Sequence, residues 1–500
     1  MEIVASSFLA LIVVVALLIK GPYHGLWLFF VVTPFGAAAA INLPAAGGAS
    51  ILVVDLAALT LFAIVAAYTG GLSMIAGSMR YGQPGFWLLL LTLFAIVATL
   101  LFPTIFRGET EVFSISRKAN ESGIVSIPLR PSSGNITQLF RLFLGVAAFY
   151  ATVTVFRLRP DAQKVLAAIA IATGVNAFLG WLDVATYAVG MPELLEPIRS
   201  ANYAMLYDVR MVGLKRMIGG FPEASSFGYY SLGLFGFWLQ FWIATPRSRL
   251  AAVMLALTAV AVLRSTSSAA YVSLVVFLVM FGLIAVVSGL RANVQRRGAT
   301  ITLFGIIVVW VVGILLFAAY EFLVPVTDFL ERALFNKMSG NSGVERMSWN
   351  TQAFQNFLDT KAMGAGLGSV RASSWFVATL ASLGAIGTLL FVIFILSILT
   401  QGEGRRGTDM RSAVIQSLRA GCLAFLISAM LTSATPDLGL TFFAFAGLAA
   451  GLARGAVIER RSVNKPDLKL TGRNNKRGNS GLRPKQTQTQ PVFADNLAKS

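Results

Sequence analysis

The sequence predicts an all-α, polytopic membrane protein with about thirteen transmembrane helices. Hydrophobic residues make up 56% of the 500-residue chain and charged residues only 12%, with a mean hydropathy of +0.74. A soluble protein contains about 25% charged residues. Apolar runs long enough to cross roughly 30 Å of hydrocarbon recur along nearly the whole chain. Because a backbone in lipid must satisfy its own hydrogen bonds, these runs are predicted to be helices.

A polar segment follows the last apolar run and divides the chain into two parts. Residues 1–457 are predicted to form the transmembrane domain. Residues 458–500 are predicted to be a disordered basic tail, because they are polar and poor in aromatic residues. The predicted spans are 4–19, 24–41, 50–69, 86–105, 138–156, 163–182, 225–244, 248–263, 268–288, 300–320, 373–399, 413–432 and 437–454.

Basic residues are distributed unequally between the two predicted sides of the membrane. The side that includes the tail holds 25 Lys and Arg against 6 Asp and Glu, whereas the other side holds 15 against 16. Since short basic loops stay in the cytoplasm, we expect a bacterial inner-membrane protein with a periplasmic N-terminus and a cytoplasmic C-terminus. The net charge of +18 is then a consequence of topology, and no nucleic-acid partner is expected.

Three long loops are predicted on the outer face, at about 106–137, 183–224 and 321–372. Long segments on one face are where a membrane protein usually keeps its chemistry. The first is mixed and polar, and we interpret it as a partly flexible loop without a functional signal. The chain has one cysteine, Cys422, and one histidine, His24, which argues against a disulfide framework and a transition-metal centre. No metal and no cofactor are expected.

The second loop places three cations, Arg210, Lys215 and Arg216, within seven residues. Pro222 and Glu223 follow at the start of the seventh span. Proline at the first helical position and an acid in the first turn are ordinary features of a helix start, so these two residues have a structural interpretation. The three cations have no such structural interpretation, because they lie on the face where the positive-inside bias disfavours basic residues.

Two further arginines precede serines at outer-face span starts. Arg264 is followed by Ser267, and Arg371 by Ser373. Helix amino termini suit phosphate, and serine caps such ends in any helix. An arginine beside the cap is more specific, because guanidinium binds phosphate oxygens bidentately. Arg264 lies in apolar sequence near the membrane boundary, where it is either functional or reaches to lipid headgroups.

The third loop contains a predicted surface helix over residues 345–358, which Arg346 begins. Its apolar spacing suits a helix that lies on the membrane surface. The glycine-rich segment 363–368 is expected to turn the chain back to the bilayer beside Arg371.

Three features together resemble the O-antigen polymerase and ligase superfamily, which includes Wzy-like exopolysaccharide polymerases. They are GGFPEASSFGYY at a span start, LRSTSSAAY between two spans, and a large outer loop. That loop runs from a helix containing ERMSWN through GAGLGS to Arg-x-Ser-Ser before the next span. The resemblance covers residues about 140–455. It implies a GT-C-like membrane fold, related to the polyprenyl-phosphate glycosyltransferases, and glycan transfer at the periplasmic face.

The resemblance implies a metal-independent glycosyltransferase whose donor is an undecaprenyl-diphosphate-linked glycan. Stabilising the charge on the leaving diphosphate is then the main electrostatic task. Arg210 and Arg216 fit the family's basic pair, Arg264 the arginine of the hinge, and Glu223 the acid of its Phe-x-Glu motif. Arg346 fits the arginine that opens the large-loop helix. The predicted catalytic residues are Glu223, Arg264 and Arg346, and the predicted diphosphate- or glycan-binding residues are Arg210, Lys215, Arg216, Arg371, Ser267 and Ser373.

The expected function is polymerisation of lipid-linked oligosaccharide repeat units into surface polysaccharide or exopolysaccharide. Ligases of the superfamily use a histidine in the large loop, which has none here, and this favours a polymerase over the ligase alternative. Glu223 either acts as general base or only holds Arg216. Expected partners are the lipid-linked glycan, membrane lipid, and the chain-length regulator and flippase of the same pathway.

Two alternatives come from other classes of protein. A lipid-linked-oligosaccharide flippase would need carboxylates within the membrane, and the candidates are Asp55 and Asp183. Both lie near predicted outer ends, where an interfacial residue bonded to a neighbour is the simpler interpretation. A noncatalytic assembly subunit would need no arginine cluster.

Overall fold

The computed structural model describes residues 1–44, 48–115, 124–202, 205–206, 210–211, 214–291, 303, 306, 310, 341–401 and 409–463. The described chain is mostly helical, and seven of its helices are long and apolar enough to cross a membrane. The fold is therefore that of an all-α, multi-pass membrane protein. Two shorter apolar helices, Val53–Ala67 and Ser268–Ile284, accompany the seven.

The helices are labelled in chain order as α1 (Ala5–His24), α2 (Leu26–Val32), α3 (Val53–Ala67), α4 (Gly71–Ala76), α5 (Pro84–Ile105), α6 (Ser133–Leu158), α7 (Ala162–Ala188), α8 (Ala224–Ala244), α9 (Arg249–Arg264), α10 (Ser268–Arg291), α11 (Asn341–Asp359), α12 (Trp375–Thr400), α13 (Met410–Thr432) and α14 (Gly439–Val463). A 3₁₀ helix covers Pro192–Ile198. Three antiparallel hairpins pair β1 (Ala39–Leu43) with β2 (Ala49–Leu52), β3 (Glu111–Ile115) with β4 (Ile124–Pro128), and β5 (Arg210–Met211) with β6 (Leu214–Lys215).

The bundle centre is aromatic and tightly packed. Helix α14 packs along α6, and α13 packs along α8. A Cβ atom built on Gly233 of α8 would lie 2.1 Å from the Phe425 ring, and one on Gly447 would lie 2.2 Å from the Thr152 hydroxyl. Small residues let membrane helices approach closely, and such packing replaces the hydrophobic effect as the attraction between helices in lipid.

Hydrogen bonds between distant segments define the two ends of the bundle. At one end, the Asn135 side-chain amide donates to the Leu367 carbonyl (2.7 Å). This end carries the three hairpins and α11, and we call it the loop end. At the other end, which we call the opposite end, the Tyr23 hydroxyl donates to Asp161 (2.9 Å).

The second predicted span, 24–41, differs from the structure. Helix α2 has seven residues, which is about 10 Å of helix and too short to cross the bilayer. The chain then enters β1, whose pairing with β2 satisfies the backbone of these apolar residues. The apolar composition was correctly identified, but composition does not distinguish a helix from a buried hairpin.

The first long loop is also more ordered than its sequence indicates. Strands β3 and β4 form a hairpin in register from Glu111 with Pro128 to Ile115 with Ile124. At the end of the chain, α14 continues to Val463, beyond the predicted boundary at 457. The remainder of the tail, most of the tenth predicted span and the segment 321–340 lie outside the described residues.

Candidate functional site

Glu223 is the N-cap residue of α8, one position before the first helical residue. Pro222 therefore precedes the cap and does not occupy the first helical position. An N-cap carboxylate normally accepts a bond from the first free N–H groups of its helix. The Glu223 side chain makes no such bond, and it accepts a hydrogen bond from the Ser225 hydroxyl instead. Helix-start chemistry thus explains the position of Glu223 but not the use of its carboxylate.

The turn before Glu223 is held against the segment that follows α2. Gly219 has φ +54°, and a Cβ atom on Gly220 would lie 2.5 Å from the Pro34 carbonyl oxygen. The Gly220 carbonyl also accepts a hydrogen bond from the N–H of Ala37 (2.8 Å). Only glycine tolerates this conformation and this close approach without strain, so the turn fixes where Glu223 stands.

Arg216 and Arg371 are both close enough to Glu223 for the charge of its carboxylate to act on them. Burial lowers the pKa of both guanidinium groups, and nearby carboxylates oppose that shift: Glu223 for Arg216, and Glu345 with Glu223 for Arg371. The Nε atom of each is buried and has no hydrogen-bond partner among the described residues. A buried donor without a partner costs about 1–3 kcal/mol, and an anion that accepts from these Nε atoms would remove that cost.

Arg371 is positioned by stacking and by the glycine-rich turn before it. Its guanidinium lies 4.6 Å from the centre of the Trp349 ring on α11, an arrangement that holds a cation without neutralising it. In the turn, the N–H of Gly366 donates to the Ser382 carbonyl of α12 (2.9 Å). Helix α12 is kinked at Gly384, whose φ is +64°, and a Cβ atom there would lie 2.3 Å from the Met363 carbonyl oxygen. The turn predicted over 363–368 is therefore present, and it docks into the kink.

Arg264 supports the segment that carries Arg216. It is the last residue of α9, and its Nη1 donates to the Lys215 carbonyl (2.9 Å). The charges of Arg264 and Arg216 both act on Tyr271, at the start of α10. These two predicted arginines are thus neighbours in the fold.

Arg210 and Lys215 belong to a second group around α7. Asp183 is 2% exposed, forms an ion pair with Arg199 (2.6 Å) and a longer one with Lys215 (3.4 Å). Arg210 donates from Nε and Nη2 to the Tyr187 hydroxyl (2.9 and 2.7 Å). These bonds agree with the interpretation of Asp183 as an interfacial residue bonded to its neighbours. Lys215, which was predicted to bind the diphosphate or glycan, forms an ion pair with Asp183.

Arg346 does not begin its helix, because α11 starts earlier, at Asn341. Its side chain is exposed. The neighbouring apolar residues Met347, Phe354 and Leu358 are exposed as well, as a helix resting on a lipid surface requires. The polar face of α11 is held by Asn356, which donates to the Glu111 carbonyl of β3.

The two predicted serines occupy sheltered positions. The N–H of Ser373 donates to the side-chain oxygen of Asn350 (2.7 Å). Ser267 is 2% exposed, and its N–H donates to the Ser265 hydroxyl (3.3 Å). Both therefore lie within the arginine-bearing segments as expected, at the starts of α12 and α10.

A cavity of about 470 Å³ opens beside Glu223 at the loop end. Its charged walls are Glu223, Asp55 on α3, Arg141 on α6, and Asp437 between α13 and α14. The charges of Arg141 and Asp437 act on Asp55. Burial raises the pKa of Asp437, while Arg141 and a bond from the N–H of Gly439 oppose that shift. Among the described residues, no group of His, Cys, Asp and Glu is arranged to hold a metal ion.

Of the predicted site residues, only Glu223 lines this cavity. The sequence analysis missed Arg141 and Asp437. A signal was present for Arg141, because a charge within the first turn of an apolar span is a functional candidate by default. The sequence signal for Asp437 was weaker, because an acidic residue in a short loop between two spans is not unusual. Only the fold shows which residues lie next to it.

No family model and no curated protein matches the chain. The resemblance to the polymerase and ligase superfamily therefore remains a prediction carried by the motifs quoted above. The structure has two features that bear on it: two half-buried arginines on which the charge of Glu223 acts, and a charged cavity that Glu223 lines.

Proposed function

We propose that the protein is a bacterial inner-membrane polymerase that joins polyprenyl-diphosphate-linked oligosaccharide repeat units at the periplasmic face. The observation that supports this most directly is that Arg216 and Arg371, on which the charge of Glu223 acts, each have a buried Nε donor without a partner among the described residues. Such donors suit a diphosphate, which guanidinium binds through charge-assisted bonds. No nucleotide sugar and no metal ion is part of the proposal.

In the proposed reaction, a sugar hydroxyl of one repeat unit attacks the anomeric carbon of the chain on the other lipid. The bond from that carbon to the diphosphate oxygen breaks, and the electron pair stays on the diphosphate. Arg216 and Arg371 stabilise this charge, which is the largest electrostatic demand of the transition state. The hydroxyl proton passes to Glu223, whose carboxylate is not used for capping its helix.

The ligase alternative receives less support. The only histidine of the chain, His24, ends α1 at the opposite end, where its Nδ1 lies 3.5 Å from Lys164 Nζ. A histidine there is a bundle length away from the arginine pair and has no role in chemistry at the loop end.

The flippase alternative is favoured by one observation. Asp55 lies in the first turn of α3, is 3% exposed and lines the charged cavity, and buried carboxylates near the membrane are characteristic of transporters. Deleting the gene and separating the surface glycan on a gel distinguishes the proposals. Single repeats without a ladder support a polymerase, absence of glycan supports a flippase, and lipid-linked polymer that is never transferred supports a ligase.

A second experiment uses purified protein with lipid-linked repeat units, with and without EDTA. We expect polymer in both reactions. Loss of polymer with EDTA that returns on adding a divalent ion would contradict the metal-independent mechanism.

The proposed orientation is tested with a reporter that is active only in the periplasm. We expect activity after fusion at residue 340, and none after fusion at 295, 405 or 470, because of the 25-to-15 division of basic residues. Activity at 405 would reverse the topology and place the arginine pair in the cytoplasm.

A further inference from the structure

The charged cavity and the arginine pair differ in the sign of their charge. The cavity walls bring three carboxyl groups, Asp55, Glu223 and Asp437, against one guanidinium, Arg141. With all three ionised, the walls have an excess of two negative charges, and the excess remains negative if Asp437 is protonated. An anion is therefore disfavoured in the cavity, and the cationic position is that of Arg216 and Arg371, which do not line it.

The cavity has the size and chemistry of a sugar site. Its volume of about 470 Å³ lies within the range of about 300–1,000 Å³ that small-ligand sites occupy. Carboxylates and a guanidinium accept from and donate to hydroxyl groups. Four aromatic residues also line the cavity, Phe221, Tyr229, Tyr230 and Phe425. The Tyr229 hydroxyl donates to the Leu438 carbonyl (2.7 Å), and the Tyr230 hydroxyl bonds Thr33 (2.6 Å). Both hydroxyl groups are thereby fixed by the protein.

Glu223 connects the two features. It lines the cavity, and its charge acts on both arginines. A sugar in the cavity and an anion at the arginines would therefore both lie near Glu223. A transfer reaction needs its acceptor and its donor to be held close together.

We propose that this cavity is the acceptor subsite, that Asp55, Arg141 and Asp437 hold the terminal sugar of the acceptor, and that this sugar is neutral or carries an amino group. The proposal rests on the function proposed above and adds the acceptor site and the charge class of its sugar. A sugar that carries a carboxylate is excluded, because it would face like charges in a partly desolvated cavity.

The test measures binding rather than turnover, with wild-type protein in lipid nanodiscs. One probe is the repeat oligosaccharide released by mild acid from the lipid-linked pool of the cells that make the protein. A matched probe is the same oligosaccharide after its primary hydroxyls have been oxidised to carboxylates. A third probe, farnesyl diphosphate, reports on the arginine pair and on folding.

We expect the unmodified oligosaccharide to bind at least about tenfold more tightly than the oxidised one, since repulsion between like charges costs several kcal/mol. Asp55→Asn and Asp437→Asn should weaken binding of the unmodified oligosaccharide. They should also reduce the difference in affinity between the unmodified and the oxidised oligosaccharide. Both variants should bind farnesyl diphosphate like wild type, which shows that they are folded. Arg216→Lys and Arg371→Lys should weaken binding of farnesyl diphosphate and leave binding of the unmodified oligosaccharide as in wild type.

Equal binding of the two oligosaccharides, absence of oligosaccharide binding, or an acidic sugar at the acceptor end of the natural repeat would overturn the acceptor subsite. Full oligosaccharide binding by both aspartate variants would also overturn it, even in a protein that makes polymer. A protein that binds the oligosaccharide as expected but forms no polymer would refute the proposed function and leave the sugar site in place.

Discussion

The two ends of the bundle each hold an ion pair with the same N–O distance, 2.6 Å, in different surroundings. At the loop end, Arg199 and Asp183 are 6% and 2% exposed. At the opposite end, Arg411 and Glu459 are 27% and 52% exposed. Distance alone therefore does not rank these pairs. Water screens the exposed pair, whereas removing one member of the buried pair leaves the charge of the other in a desolvated site.

Burial also affects the hydrogen bonding of other arginines at the two ends. At the opposite end, Arg157 donates to the Met74 carbonyl (2.6 Å) and Arg419 to the Gln401 carbonyl (2.7 Å). At the loop end, Arg216 and Arg371 keep buried Nε donors without partners among the described residues. An unused Nε donor does not by itself separate the two ends, and the feature that bears on a ligand is the charge of Glu223, which acts on both Arg216 and Arg371.

The largest effect is expected at Glu223. Glu223→Gln should reduce the rate of polymer formation by about 10²–10⁴-fold if the carboxylate is the general base, measured with purified protein and lipid-linked repeats. Glu459→Gln, which removes a carboxylate at the opposite end, is the matched control and should be neutral.

A double-mutant cycle separates the base from a role in holding Arg216. If Glu223 only holds Arg216, Glu223→Gln combined with Arg216→Lys should be no worse than the more damaging single change. That outcome would remove Glu223 from the proton transfer.

The next largest effect is expected at the arginine pair. Arg216→Lys and Arg371→Lys keep the charge but lose the fork geometry. Loss of one charge-assisted bond costs roughly 1.5–3 kcal/mol, which is about 10- to 150-fold in rate if the bond acts in the transition state. Arg419→Lys, the same change at a buried position of the opposite end, should leave the rate unchanged. Equal losses at all three positions would end the contrast between the two ends.

The ion pairs predict a difference in stability. Asp183→Asn leaves Arg199 and Lys215 without their carboxylate and should lower the free energy of unfolding by about 3–5 kcal/mol. Arg411→Gln removes one member of the exposed pair and should change it by at most about 1 kcal/mol. Unfolding in mixed micelles, titrated with SDS, measures the free energy of unfolding of both variants. Similar losses in the two variants would show that burial does not separate the pairs.

The smallest effect is expected from the tail. Helix α14 continues to Val463, so truncation belongs after that residue and not at 457. Removal of residues 464–500 should spare polymer formation, because the polar composition of this segment cannot build a core and it follows a helix that ends away from the cavity. Its proposed role is attraction to anionic lipid. Loss of polymer at a normal protein level would show that the tail acts in the reaction.

Part of the candidate site was predictable from sequence. Cations where the positive-inside bias disfavours them indicated Arg216 and Arg371, and the family resemblance indicated Glu223, whose charge acts on both in the fold. Arg346 illustrates the limit of this reasoning: its motif is local, and only the fold places it on an exposed helix face. Arg141 and Asp437 come from segments almost 300 residues apart in the chain, and no local pattern relates them.

Hydropathy by itself determined that this chain enters a membrane mostly as helices, because an unbonded backbone in lipid is too costly. It also located the helix-rich segments, since each needs its own apolar run. Tertiary structure decided where an apolar run becomes a short helix and a hairpin, as in residues 26–43, because pairing with a neighbouring strand satisfies the backbone equally well. It also decided which charges are paired and which remain available, since side chains from distant helices meet only when the bundle has packed.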